Sequence, residues 1–418
     1  MRIITLKEDE FNSFAQRHKY ETFYQTSAYA NFKSHQEKFN IHYLGFEENN
    51  NLVGATMVIY KQLFWGYKYA YAPRGFLVDY TDTYLINEII KKLKQLLYQQ
   101  KFVFFKIDPP IIASERDFDG KIIYQSETVN DILDTLKKND CEHFGFNLYN
   151  ETLLSRYNVF AKLIPNSKTL FNSFSSDVRN KISVANRMAV QVEEDTTYDI
   201  DKLYDFLKKT HGKKGRRYFQ NLFNSFSKNG DIKIFYAKIN TNQYTTNTNN
   251  LYNSELEKNE GLTRIIESGD KKYDIERVIN DKIESDKLLS TYKKDILVST
   301  DFLRKYPDGI LCGVMVVITQ KKGANILINY QLDGYERFNI NEMMIYEAMK
   351  YYANKNYKYI NLGFVSGNFE PNSKYYHMLI DKKGINSSII EYIGEFDLII
   401  NPFIYKIYKS KSKKKKLI

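Results

Sequence analysis

Cysteine is nearly absent from this chain. There are two, Cys141 and Cys312, far apart and with no CxxC spacing. That supports neither a disulfide framework nor a zinc site, and a reducing compartment is the expected setting. No apolar run approaches the ~18 residues that a membrane-spanning helix needs. The opening residues Met1-Arg2-Ile3-Ile4-Thr5-Leu6 turn acidic at once and do not read as a signal peptide. The expected location is therefore the cytoplasm. The six histidines are scattered. No serine–histidine–aspartate set or reactive cysteine presents itself, which argues against a covalent intermediate.

What is present is length, positive charge and aromatic side chains. The chain has 418 residues, enough for two domains with their own cores. Hydrophobic residues make up 43% and charged residues 27%, as in an ordinary soluble protein. The net charge of +11 is compatible with nucleic acid, an anionic membrane surface or a phosphorylated substrate, and does not choose among them. The 35 tyrosines and 28 phenylalanines accompany an excess of Asn, Lys and Ile. That is the drift of an AT-rich genome, so single tyrosines carry little weight. The chain closes on Lys409-Ser410-Lys411-Ser412-Lys413-Lys414-Lys415-Lys416. This basic tail reads as a disordered solubilising end, or as an attractor of anionic lipid or RNA.

The organisation repeats itself. Leu52-Val53-Gly54 leads into a strand to Tyr60, a turn near Trp65-Gly66 and a second strand to Ala72. A helix over Tyr84–Gln100 follows, with an apolar stripe at helical spacing, and then the strand Phe102–Ile107. Leu311-Cys312-Gly313 opens the same order: a strand to Thr319, a turn at Lys321-Lys322-Gly323, a return strand to Leu332, a helix over Asn341–Asn354 and the strand Tyr357–Leu362. A duplicated α/β domain is the better explanation. Between the copies lie a helix that starts at Ser176, with Val178, Ile182 and Ala185 on one face, helices near 200–209 and 218–227, then a strand at 231–239. Segment 241–300 breaks the pattern. It is polar, then charged, with a sparse stripe of Ile265, Ile275, Val278, Ile279, Ile283, Leu288 and Leu289. It reads as a charged helical hairpin arm, the alternative being a disordered insertion.

Several stretches then resemble the Fem family of peptidoglycan-branching aminoacyltransferases. Leu163-Ile164-Pro165 with Ser176-Asp177-Val178-Arg179-Asn180-Lys181 and Ala185-Asn186-Arg187 is similar to its IxP…RN-K…A signature. Tyr71-Ala72-Pro73-Arg74-Gly75 with Val78-Asp79-Tyr80 resembles its PRGxxxDY segment, and Lys106-Ile107-Asp108-Pro109 its KIDP strand end. Ile393-Gly394-Glu395-Phe396-Asp397-Leu398, Asn401-Pro402 and Tyr405 resemble its closing IGEFD…N-P-Y motif. The four run in family order across nearly the whole chain. The resemblance implies an α/β fold of two GNAT-like (acyl-CoA N-acyltransferase-type) domains in tandem, with a helical hairpin arm inserted in the second. On this chain that places the first domain at 1–152 plus 396–408 and the second at 153–240 plus 301–395. The arm is 241–300 and the basic tail 409–418.

The reaction that the resemblance implies is aminolysis. A stem-peptide amine attacks the ester carbonyl of an aminoacyl-tRNA carrying Gly, Ala or Ser, with no metal or organic cofactor. The acceptor is a peptidoglycan precursor, either lipid II or UDP-MurNAc-pentapeptide. The expected protein is a monomer or weak dimer, in peripheral contact with the inner membrane surface. Asp108 ends a buried strand before Pro109-Pro110, where a carboxylate can orient the amine or take its proton; a turn aspartate is the plain alternative. Lys382 and Lys383 fall on the family's F-K-K/R-x-F-G segment, whose first lysine is tied to transfer, although Asp381 stands where an aromatic is expected. Lys33 matches the lysine of Q-x-x-x-W-x-x-x-K, with Tyr29 in place of Trp, and is expected to bind precursor phosphate. His211-Gly212-Lys213-Lys214-Gly215-Arg216-Arg217-Tyr218-Phe219 is similar to G-[FY]-x-x-R-x-x-x-Y-F, which makes Lys214, Arg216, Arg217 and Tyr218 substrate-binding candidates. Arg74 either pairs with Asp79 or lines the precursor groove.

Two other functions compete. An acyl-CoA-dependent N-acyltransferase would cradle pyrophosphate with a glycine-rich helix entry. The helices near 84 and 341 are instead preceded by Thr81-Asp82-Thr83 and Phe338-Asn339-Ile340. A non-catalytic binder of tRNA or precursor would lack a pocket joining Asp108, Lys382 and Lys33.

Overall fold

The computed structural model describes residues 1–149, 153–210, 214–270 and 272–414. Two mixed sheets organise them. The first runs in the order Arg2–Thr5, Asn40–Glu48, Asn51–Gln62, Lys68–Ala72, Phe102–Ile107, Phe396–Ile399, Cys141–His143. The second runs Val190–Asp195, Ile232–Ile239, Ile310–Gln320, Gly323–Gln331, Tyr359–Phe364, Tyr157–Lys162, Ser387–Tyr392, Ile112–Arg116, Ile122–Gln125.

Each sheet contains the repeated unit, an antiparallel hairpin whose second strand crosses through a helix to a parallel neighbour. In the first, the helix Thr83–Gln99 joins Lys68–Ala72 to Phe102–Ile107; in the second, Ile340–Asn354 joins Gly323–Gln331 to Tyr359–Phe364. The fold is two GNAT-like domains in tandem. Asp82 caps the first helix by accepting from the Leu85 amide, and Leu85, Ile86, Ile89, Ile90, Leu93 and Leu97 are its buried face. The repeated glycine has a packing cause in both copies. A Cβ on Gly54 would stand 2.5 Å from a Val78 methyl, and one on Gly313 2.8 Å from Ile340.

The copies differ at one place. In the first sheet the parallel pair runs the full length from Lys68 to Ala72, with one bulge between Lys68 and Tyr69. In the second, Gly323–Gln331 and Tyr359–Phe364 pair only at Gly323, Ala324 and Asn325. Beyond Asn325 the two strands part and leave a wedge.

The chain crosses between the sheets at the stretches that resembled family motifs. Phe396–Ile399 returns to the first sheet between Phe102–Ile107 and Cys141–His143. Lys106 is buried there between Glu395 and Asp397, with Nζ 2.8 Å from Asp397 Oδ1, and Tyr405 donates to Asp397 Oδ2 at 2.8 Å. After Pro109-Pro110 the chain leaves the first sheet. The strands Ile112–Arg116 and Ile122–Gln125, inside the span 1–152 expected for the first domain, pair instead in the second. Ser114, Arg116 and Arg156 all bond the Glu391 carboxylate and anchor that crossing.

Segment 241–300 is helical, not disordered. Thr241–Ser268 and Ile275–Lys305 form an antiparallel pair that extends the arm to Lys305. Only Val278 of the sparse stripe is buried, and the seam holds Asn259, which bonds Ser285 and Asp286. The tail also departs from expectation. The helix Pro402–Lys414 carries it to Lys414, with Ile404 and Tyr405 packed on Val103 and Phe104, while residues 415–418 lie outside the described residues.

Candidate active-site cleft

A cavity of about 840 Å³ lies where the two domains meet. Strand alternation decides what faces it. Val159, Ala161, Ile360, Leu362 and Ile389 point to the helix-covered core of the second domain. Their neighbours Asn158, Phe160, Tyr359, Asn361, Ile390 and Tyr392 point the other way and line the cavity. Asn325, Ile326 and Leu327 on one strand and Gly363 and Phe364 on the other bring the wedge to its wall. The first domain contributes Tyr24 and Arg74.

Arg74 does not pair with Asp79. Asp79 turns outward to Lys19 at 2.9 Å and to Thr81. Arg74, buried and at φ 52°, faces Asp108. Its backbone N–H donates to Asp108 Oδ1 at 2.7 Å and its Nη1 lies 3.8 Å from Oδ2. The guanidinium also donates to the Ser155 carbonyl at 2.6 Å and stacks 4.4 Å from the centre of the Tyr392 ring. Tyr71 completes the set with an O–H donated to Asp108 Oδ2 at 3.2 Å. Asp108 is thus one side chain behind the cavity wall, held by Arg74 and Tyr71. Burial pushes its carboxyl up to about 7, against the lowering pull of the Arg74 charge and N–H. Burial also raises Tyr71, so this phenol stays a donor.

Tyrosines lead from this pair to a second cluster. Tyr24 packs on Tyr29 at 5.2 Å, Tyr29 on Phe32 at 6.3 Å, and Phe32 on Tyr218 at 5.3 Å. The helices Ser27–Glu37 and Arg216–Phe226, one from each domain, are packed together here. Their meeting brings Lys33, Lys214 and Tyr218 into one neighbourhood. Lys214 Nζ is 5.0 Å from the centre of the Tyr218 ring. Lys33 pairs with Glu37 and lies 5.4 Å from the centre of the Phe39 ring. Lys61 sits over the same ring at 4.0 Å. Burial lowers the pKa of Lys33, with Lys61 and Lys214 adding to the fall and Glu37 opposing it. A cluster of ammonium groups around one carboxylate suits an anion.

The remaining candidates lie elsewhere. Arg216 is turned to Asp201, with Nη2–Oδ2 at 3.0 Å, and Arg217 is exposed. His211, Gly212 and Lys213 of the same motif lie outside the described residues. Lys383 is exposed and pairs with Asp119 at 2.7 Å. Lys382 donates to the Met378 carbonyl at 3.1 Å, and burial lowers its pKa. Its flanking residues Leu379 and Ile385 belong to the helix-covered core, on the sheet face opposite the cavity. The structure therefore joins Asp108 to Arg74 and Lys33 to Lys214 and Tyr218, but sets Lys382 apart from both. Tyr71, Tyr24, Tyr392 and Lys61 were not singled out from sequence. Only Tyr71 had a signal, its place in Tyr71-Ala72-Pro73-Arg74-Gly75, which the abundance of tyrosine concealed.

The sequence pattern of the FemAB family matches residues 6–413. A lipid II:glycine glycyltransferase of Staphylococcus haemolyticus (strain JCSC1435) is 24% identical over 375 residues, covering 86% of this chain and 84% of that protein. Its namesake in Staphylococcus aureus (strain USA300) is 24% identical over 352 residues, or 82% of this chain and 79% of that one. Among solved structures, the crystal structure of FemX superposes with a TM-score of 0.76 at 20% identity, covering 97% of this chain and 99% of that chain.

Proposed function

The chain belongs to the FemAB family, and from that premise we propose that it is a transferase that adds glycine to the stem-peptide amine of a lipid-linked peptidoglycan precursor. The donor in this reading is glycyl-tRNA. The observation that carries it is the Arg74–Asp108 pair at the wall of the interdomain cavity, with Asp108 poised to exchange a proton near neutrality.

A lysine-type amine has a pKa of ~10.4 and is an ammonium at pH 7. Ionised Asp108 takes its proton as the group settles beside Arg74. The free amine attacks the ester carbonyl carbon of the donor and forms the C–N bond. The tetrahedral intermediate carries an oxyanion, which Arg74 is placed to stabilise. The ester C–O bond then breaks. The second amine proton passes to the departing ribose oxygen, so tRNA leaves with a free hydroxyl. In this reading the wedge beyond Asn325 takes the acyl end and Lys382, released from the Met378 carbonyl, holds the tRNA terminus. Lys33, Lys214 and Tyr218 would grip the precursor phosphates. Lys383, Arg216 and Arg217 keep at most an outer electrostatic role toward the same substrates.

One observation favours a second reading. The cavity reaches Arg74 but neither Lys33 nor Lys382, as a non-catalytic precursor binder would show. A transfer assay decides between them. Lipid-linked and UDP-linked precursors are incubated in turn with tRNA charged with glycine, alanine or serine, and products are weighed by mass spectrometry. A mass gain of one glycine on the lipid-linked precursor is expected. Binding of precursor without gain from any pair would establish the binder instead.

A further inference from the structure

We propose that the hairpin tip Leu63–Tyr67 and the C-terminal helix Pro402–Lys414 together form a docking surface for an anionic lipid bilayer. The tip is a tight turn closed by Leu63 N–H to Tyr67 O at 2.7 Å and Tyr67 N–H to Phe64 O at 3.1 Å. At its apex stands Trp65, the only tryptophan of the chain, 67% exposed. Leu63, Phe64 and Tyr67 pack against the same small core as Ile404, Ile407 and Tyr408, so tip and helix are one surface. Phe403, in the first turn of that helix, is 72% exposed. Two large aromatic groups are thus held out to solvent by a rigid base.

Their surroundings are basic. The helix carries Lys406, Lys409 and Lys411 and no acidic residue. Lys411 lies 4.1 Å from the centre of the Phe64 ring and 4.6 Å from that of Trp65. Lys409 is paired with Glu142. Lys61, Lys68 and Lys101 mark the ends of the three strands that meet at the tip. Among the described residues no helix is long and apolar enough to cross a membrane, so contact of this kind would be at the interface. Exposed aromatic rings sit at headgroup level, and lysines around them are drawn to anionic lipid. Single-stranded RNA is the other polyanion that binds lysine and aromatic groups together, but it is held along a groove. Trp65 stands on a projecting turn, and beside it Gly66 faces open space.

The position suits the acceptor, a point that rests on the proposed function. Lys61 belongs both to the tip's base and to the cluster with Lys33. Asp108 and Arg74 lie at the far ends of Phe102–Ile107 and Lys68–Ala72, roughly 20 Å away at ~3.3 Å per residue. A pentapeptide extends about 17 Å. A precursor with its phosphates at the bilayer surface would present its stem near the cavity.

The single tryptophan makes the test specific. The full chain is titrated with phosphatidylglycerol/phosphatidylcholine vesicles, with pure phosphatidylcholine vesicles, and with an oligoribonucleotide, and tryptophan emission is recorded. The expected result is a blue shift with the anionic vesicles alone, quenched when the acyl chains are brominated and weakened by salt. Lys406→Gln and Lys411→Gln should each lower vesicle affinity about fivefold. In sedimentation, Phe403→Ser should also reduce the bound fraction. No emission change with anionic vesicles, or a change with the oligoribonucleotide alone, overturns the proposal. The readout involves no turnover. A chain that transfers glycine to precursor in detergent yet ignores vesicles would sink the docking surface and leave the function standing.

Discussion

Asp108 accepts hydrogen bonds from the Arg74 N–H and the Tyr71 hydroxyl and faces a guanidinium, yet its carboxyl is pushed up to about 7. Burial therefore outweighs its partners. A carboxyl raised in the folded state binds a proton that the unfolded chain has already released, so its stabilisation is present below about pH 4 and is lost as pH rises through about 7. The loss has an upper limit of roughly 4 kcal/mol, from ~3 pKa units at 1.36 kcal/mol each. Thermal denaturation between pH 5 and 8 should show the wild type losing stability more steeply than Asp108→Asn. Equal slopes would mean that Asp108 titrates normally. At the phosphate-type cluster, Lys33→Met and Lys214→Met should raise KM for the precursor at least about tenfold and leave kcat largely intact. That is the worth of one hydrogen bond to a charged group, roughly 1.5–3 kcal/mol. Steady-state kinetics with varied precursor checks it; a fall in kcat at constant KM would place these lysines in the chemical step. The residue types at both clusters were legible in the sequence, because each belongs to a short local pattern. The partner of Arg74 was not. Asp79 is five residues away and exposed, whereas Asp108 is brought up by parallel pairing of two strands, which no local pattern records.

At the scale of elements, the return strand Phe396–Ile399 depends on one buried cation. Lys106 satisfies Glu395 and Asp397 together, and Lys106→Met would leave two carboxylates buried without a counter-charge. A loss of about 3–5 kcal/mol is expected in denaturant unfolding; a loss under about 1 kcal/mol would show that the network is dispensable. Gly54→Ala should cost about 1–3 kcal/mol by overpacking, since Val78, Phe46 and the Leu77 carbonyl already crowd the site. Helices and hairpins were readable because their apolar period and turn residues are local. The wedge was not, since both repeats carry the same element order and only the register shows where strands part. The same holds for Lys382. Its motif ties it to transfer, but strand alternation in Ser387–Tyr392 sends the neighbouring Ile389 to the core and Ile390 and Tyr392 to the cavity. Which face a flanking loop joins depends on pairing with Tyr157–Lys162, more than 200 residues away.

For the whole molecule, duplication followed by divergence explains the division of labour. One copy keeps its parallel pair closed and supplies Arg74, Asp108 and Lys33. The other opens its pair and supplies the cavity wall. Two sheets exchanging strands, with Ile112–Arg116 going one way and Phe396–Ile399 the other, hold these parts in one frame. The central claim is that this frame puts a carboxylate of near-neutral pKa where an amine loses its proton. The most direct measurement is the pH dependence of kcat/KM for glycyl transfer to lipid-linked precursor, in the wild type and in Asp108→Asn. The account predicts a rate that rises through about pH 7 in the wild type. In the variant the rate should fall by about 10²-fold or more and that rise should disappear. A variant that keeps the wild-type rate and the same rise would contradict it.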